Sequence, residues 1–258
     1  MKHYICILLG FVAFTAQAQN PIPSRVGSGL DAGFAFKKDN YVPALTYFQL
    51  LNIGGRKRLV SVGWTARLAK FHGDNLNFYT APANLTRGAT GFDALGPALK
   101  ATNIDTVRFD YVTNTSINFG VRAEVHLGPV DLGGSADVFG LAFGKTRVGR
   151  VISSSGRYTT AGPNGDTTYT FTGDRRFQRF RPTGVNVRLL GDNDIGNLAA
   201  ELYARVRINQ RLAIKAGYQW QTAEMYIRDR DIRPTDGNRR YRHRVGMPFV
   251  AVTLPFFN

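Results

Sequence analysis

Three residues of one strand-like run, VRFDYVTNTSINFGVRAEVHL at 107–127, carry groups that could do chemistry: Ser116, Glu124 and His126. A hydroxyl, an imidazole and a carboxylate are what a nucleophilic hydrolase assembles, with the imidazole taking the hydroxyl proton and the carboxylate orienting it. Spacing forbids that use within a single strand, because the strand rise puts Ser116 roughly 25 Å or more from His126. Glu124 and His126 share a face and read instead as a hydrogen-bonded pair in an interior. His72 and His243 fall in loops, without a second ligand at metal-binding spacing. There is no phosphate-binding loop, dinucleotide fingerprint or Gly-x-Ser-x-Gly elbow, so no catalytic, metal or cofactor residue is assigned and no enzyme is expected.

Charge is the stronger signal. The chain carries 33 Lys and Arg against 18 Asp and Glu, a formal net charge of +15. Its arginines cluster in two places, with Arg175, Arg176, Arg179 and Arg181 in one and Arg228, Arg230, Arg233, Arg239, Arg240, Arg242 and Arg244 in the other. A guanidinium grips phosphate through two parallel hydrogen bonds. Arg175, Arg176, Arg179, Arg228, Arg230, Arg233, Arg239, Arg240 and Arg242 are therefore candidate anion-binding loop residues. The alternative is a solvated loop paired internally through Asp229, Asp231 and Asp236, and the sequence leaves both open.

The elements that would position these residues show period-two alternation. Within 107–127, Val107, Phe109, Tyr111, Ile117, Phe119, Val121, Val125 and Leu127 share one parity, and Arg108, Asn114, Ser116, Asn118, Arg122, Glu124 and His126 the other. Strand side chains alternate between faces, so one face is apolar and the other polar. Similar runs cover 30–37, 60–68, 130–138, 197–208 and 212–220, and a final strand reads GMPFVAVTLPFF; residues 41–52 are apolar on both parities. Gly54-Gly55, Gly128-Pro129 and Asn209-Gln210 make short turns. Residues 71–104, 145–196 and 228–240 read as long loops. This counts eight antiparallel strands, or ten if the weak strand signal at 175–190 spans separately. The run at 107–127 exceeds the length of ordinary soluble strands, which rarely pass about 10 residues.

The N-terminus carries Lys2 and His3, an apolar run from Tyr4 to Phe14, and Ala16-Gln17-Ala18, the order of a cleaved export signal over 1–18 that leaves a mature domain at 19–258. Cys6, the only cysteine, lies inside it, so the mature chain has no thiol. With this signal, the long alternating strands, short turns on one side, long loops on the other and aromatic residues closing the last strand (Phe249, Phe256, Phe257), the chain resembles small bacterial outer-membrane β-barrels of the OmpA type. Asn258 after Phe257 departs from that family's aromatic end, and Gln19 after the cleavage site resembles exported proteins of Bacteroidetes-type bacteria.

The resemblance implies an all-β, up-and-down transmembrane barrel in the outer membrane, assembled by the barrel-assembly machinery. It further implies contact with outer-membrane lipid and loops at the outer surface, where the arginines suit lipopolysaccharide phosphates or another anionic partner; with an export signal, no nucleic acid is expected as partner. An eight-strand barrel is filled by its own side chains. Asp31, Arg67, Arg122, Glu124, His126, Asp131, Asp137, Glu201, Arg205, Arg207 and Lys215 should point inward, with Arg122, Glu124, His126, Glu201, Arg205 and Arg207 in an ion-pair network and Tyr203 facing the same lumen. Two alternatives stand beside this: a lipid-modifying barrel enzyme and a secreted soluble β-barrel that binds a ligand.

Overall fold

The computed structural model describes residues 25–53, 59–153, 157–160, 165–189, 193–234 and 237–257. In chain order the strands are β1 (Val26–Lys37), β2 (Asn40–Ile53), β3 (Val60–Thr80), β4 (Thr106–Leu127), β5 (Val130–Phe143), β6 (Arg147–Ser153) and β7 (Arg157–Thr160). They continue with β8 (Thr167–Thr170), β9 (Phe177–Pro182), β10 (Val185–Val187), β11 (Leu198–Asn209), β12 (Leu212–Ile227), β13 (Ile232–Pro234) and β14 (Arg240–Phe257). The expected export signal at 1–18 and the Gly54-Gly55 turn lie outside the described residues.

Eight of these strands close a ring. β1 pairs with β2, β2 with β3, β3 with β4, β4 with β5, β5 with β11, β11 with β12, β12 with β14, and β14 returns to β1, every pair antiparallel. Both ends of the ring's chain lie on the side of the short turns. Alternation sorts the faces as the pleat requires. Phe34, Leu45, Val62, Leu68, Ile117, Val121, Leu202 and Val252 point outward at 41–59 % exposure. A soluble barrel would set this continuous apolar band against water, whereas a bilayer needs it. The fold is a transmembrane β-barrel, and closure leaves no strand edge unpaired in lipid.

A second ring stands on the first at the long-loop end. The upper parts of β3, β4, β12 and β14 continue beyond the others, and β6 and β9 enter between β4 and β12. Pairs β3–β4, β4–β6, β6–β9, β9–β12, β12–β14 and β14–β3 close six strands. The core of this tier is apolar. Phe109 meets Phe78 edge-on at 5.0 Å and Phe180 at 5.1 Å, and Phe180 meets Tyr241 at 5.6 Å. Val107, Met225 and Ile227 fill the remainder, all at most 1 % exposed.

This tier corrects two expectations. Residues 71–80 are strand, not loop, and Val107 and Phe109 point inward although they share sequence parity with the outward Ile117 and Val121. The reason is one rung at which both strands turn over. Pairing runs from Asp74–Tyr111 to Leu76–Phe109 and passes over Asn75 and Asp110; Asn75 adopts a left-handed conformation, φ 53°. Below the rung the inward parity of β3 is Ser61, Thr65, Arg67, Ala69 and Phe71, and above it Leu76, Phe78 and Thr80. The 175–190 segment does not add a ninth and tenth span. β9 belongs to the upper tier, and β10 pairs with the top of β5 above the start of β11. Outside both rings, β7, β8 and β13 form a small sheet of their own.

Candidate functional site: a filled lumen and a basic outer tier

Every charged residue expected to point inward does so, and all but Asp137 form one connected network. β1 supplies Asp31, whose Oδ2 accepts from Arg122 Nη1 of β4 at 2.7 Å and from Lys215 Nζ of β12 at 3.2 Å, while its Oδ1 accepts from Thr253 Oγ1 of β14 at 2.6 Å. Glu124 accepts from Arg122 Nε at 2.9 Å, from Tyr203 Oη at 2.8 Å and from Arg205 Nη2 at 2.7 Å. Glu201 accepts from Lys215 Nζ at 2.7 Å and from Arg67 Nη1. Asp131 accepts from Arg205 at 2.8 Å and from Arg207. Arg122 also lies over the Phe48 ring at 4.1 Å, and Lys215 over the Tyr203 ring at 4.0 Å. Buried charge is costly unless paired and hydrogen-bonded. Here each of these four carboxylates has a cation, and Asp137 is held by amides, Asn118 Nδ2 at 2.9 Å and the Ala199 N–H at 2.8 Å.

The lumen is therefore crossed by side chains at the level of Arg122, and the apolar tier lies above it. The void beside Asp31, Arg67, Glu201 and Lys215 measures about 10 Å³, no larger than a single water.

At the short-turn end the register makes a contact that sequence reasoning missed. Ser61 of β3 pairs with Glu124 of β4, which places its hydroxyl 2.5 Å from His126 Nε2; His126 Nδ1 lies 2.6 Å from Asp131 Oδ1. A serine, a histidine and an aspartate are thus linked in the order a nucleophile requires, although the serine comes from another strand than the one considered. Its surroundings are structural. Ser61 is fully buried and also bonds Asn52 Oδ1 at 2.5 Å. Arg205 and Arg207 occupy the Asp131 carboxylate. Glu124, His126 and Asp131 also stand close enough to share a metal ion. The guanidiniums already on both carboxylates neutralise the charge that a cation would need, so the set does not fit a metal site.

The nine candidate anion-binding arginines divide in two. Arg239 donates to the carbonyls of Ile227 and Asp229, Arg240 grips Glu224 at 2.8 Å through Nε and Nη2, and Arg242 is buried against the Ala81 carbonyl. These three hold the tier together. Arg175, Arg176, Arg179, Arg228 and Arg230 are exposed. Arg175 lies over the Tyr169 ring at 3.7 Å; the side chain of Arg233 lies outside the described residues. Pairing carries the basic surface further than the sequence clusters did. Alternation on β9 turns Arg179 and Arg181 outward and Phe180 inward, Arg150 of β6 is paired with Arg108 of β4, and the Arg228 N–H reaches the Arg179 carbonyl at 2.8 Å. Arg150, Arg179, Arg181 and Arg228 share the outer wall of the tier, and none forms an ion pair among the described residues.

No protein-family model matches the chain, and no curated protein shows significant similarity to it. Among solved structures it is similar to Neisserial surface protein A, with 9 % identity and a TM-score of 0.34 over 89 % of this chain and 94 % of that one. It also aligns with the toluene transporter TbuX of Ralstonia pickettii, at 10 % identity and TM-score 0.19 over 89 % and 87 % of the two chains. A third alignment is with the toluene transporter TodX of P. putida, at 12 % identity and TM-score 0.18 over 90 % and 78 %.

Proposed function

We propose that the chain is an outer-membrane barrel of the small OmpA type, processed after Ala18, which neither conducts nor catalyses and which presents an arginine wall to phosphate-bearing partners outside the cell. The observation that carries this reading is the outer face of the six-strand tier, where Arg150, Arg179, Arg181 and Arg228 stand exposed, without counter-ions among the described residues. The tier stands beyond the lipid-facing band at the long-loop end, which supports a reading in which it meets lipopolysaccharide sugars and phosphates. Arginine suits that task because its planar fork matches two phosphate oxygens, and neighbouring guanidiniums raise the local anion concentration.

Binding of purified protein to lipopolysaccharide tests the reading. The expected result is an affinity that weakens as salt rises, and that falls about tenfold or more in the triple variant Arg179→Gln, Arg181→Gln, Arg228→Gln. Equal binding by wild type and triple variant, or equal binding of dephosphorylated lipopolysaccharide, would overturn it.

A further inference from the structure

The lipid-facing wall is not evenly convex. A groove of about 830 Å³ crosses it over β1, β2, β3 and β14. Two outward positions make the groove. Ala32 on β1 is small, and Pro43 on β2 has no amide to give to the ladder, so β2–β3 pairing passes from Tyr41–His72 to Ala44–Ala69. Phe34, Leu45, Leu68 and Val250 rise around this depression.

One charged group lines the groove. Lys70 is exposed on the outward face of β3, opposite Thr115, and has no partner among the described residues. Two residues further up the same face, His72 stacks on Tyr41 at 4.4 Å and lies 3.2 Å from the Tyr111 hydroxyl. Such an aromatic group marks the membrane–water boundary. Lys70 stands about 7 Å below it by strand rise, within reach of a lysine stem that extends its amine toward the boundary. An ammonium in that position is costly unless it meets an opposite charge. The lipid leaflet offers one ligand that satisfies both parts of the site.

We propose that this groove holds one phosphate-bearing lipid of the leaflet at the long-loop end, with the phosphate on Lys70 and one acyl chain laid over Ala32 and Pro43. The site is separate from the arginine wall, which is built on β6, β9 and the residue that follows β12, so either assignment can fail alone.

Native mass spectrometry of the full processed protein tests it, with the sample delipidated in neutral detergent and titrated with dioleoyl phosphatidylglycerol or dioleoyl phosphatidylcholine. A first phosphatidylglycerol adduct is expected at lower lipid concentration than the phosphatidylcholine adduct. Lys70→Gln should weaken the phosphatidylglycerol adduct about fivefold, the worth of one basic side chain beside an anionic headgroup, and leave phosphatidylcholine unchanged. Ala32→Leu, which fills the groove from a lipid-facing position, should weaken both. Gel mobility before and after boiling shows that each variant is closed, and Val250→Trp replaces Ala32→Leu should that chain fail to close. Equal adducts of both lipids on the wild type, or wild-type binding of phosphatidylglycerol by Lys70→Gln and the groove-filling variant, would overturn the proposal.

Discussion

Glu124 shows how far a single buried carboxylate governs this molecule. It is 1 % exposed and takes hydrogen bonds from Arg122, Tyr203 and Arg205. Glu124→Ala would leave Arg122 with Asp31 alone and Arg205 with Asp131 alone, and removing one member from a buried ion-pair network costs up to about 3–5 kcal/mol. A drop of that size in unfolding free energy, measured by urea titration in detergent, is expected; a change under about 1 kcal/mol would mean that water solvates the lumen and the network is looser than described. Ser61 gives the complementary case. Its hydroxyl touches His126 but is sealed from solvent, so a fluorophosphonate probe is expected to leave the folded protein unlabelled, and labelling that Ser61→Ala abolishes would contradict that. The inward charges were legible because parity alone sorts them, and Tyr203 was legible as an exception for the same reason. Ser61 was not, since its meeting with His126 depends on the register between two strands.

At the scale of elements, the upper tier is the part that alternation concealed. Asn75 and Asp110 turn both strands over on one rung, so the same sequence parity faces lipid below and a core above. β6 and β9 are 7 and 6 residues long, too short to announce themselves inside an irregular segment. Phe180, inside this tier, is fully buried. Phe180→Ala should cost about 3–5 kcal/mol locally, as large-to-small core changes do. The eight-strand ring should keep its heat-dependent gel mobility while trypsin gains access to Arg179 and Arg181; loss of the mobility shift would show that the two tiers do not stand separately.

His243 adds a pH dependence to the same tier. Burial against Phe71 and Phe78 lowers its pKa below 6.5, nearby Lys37 acts in the same direction, and its contact with the Asn77 carbonyl opposes them. The folded state therefore binds its proton less readily than the unfolded state. The contribution is complete above pH 6.5 and is lost as pH falls from there toward the folded pKa. Proteolysis of the tier should quicken between pH 7.5 and pH 5 in the wild type, and His243→Asn should flatten that rise.

For the whole molecule the two tiers complement each other. A polar, ion-paired lumen suits a barrel whose outside is lipid, and the apolar tier closes that lumen where the chain leaves the membrane. Strand count, closure and lipid-facing parity followed from alternation and turn length. The division of the arginines into structural and exposed sets did not, because it depends on which strand each neighbour occupies. Planar-bilayer recording should find no steady conductance, and stable ohmic steps would contradict the packed lumen.

The measurement that tests the arrangement most directly uses the absence of thiol from the mature sequence, since Cys6 falls in the expected signal. Single cysteines at Arg179 in the upper tier and at Gln210 in the β11–β12 turn can be challenged in intact cells with a membrane-impermeant maleimide. Labelling of Arg179→Cys in intact cells, with Gln210→Cys labelled only after the outer membrane is permeabilised, is the expected result. Equal labelling of both in intact cells, or recovery of the protein in a soluble fraction, would contradict a barrel that spans the outer membrane with its arginine wall facing outward.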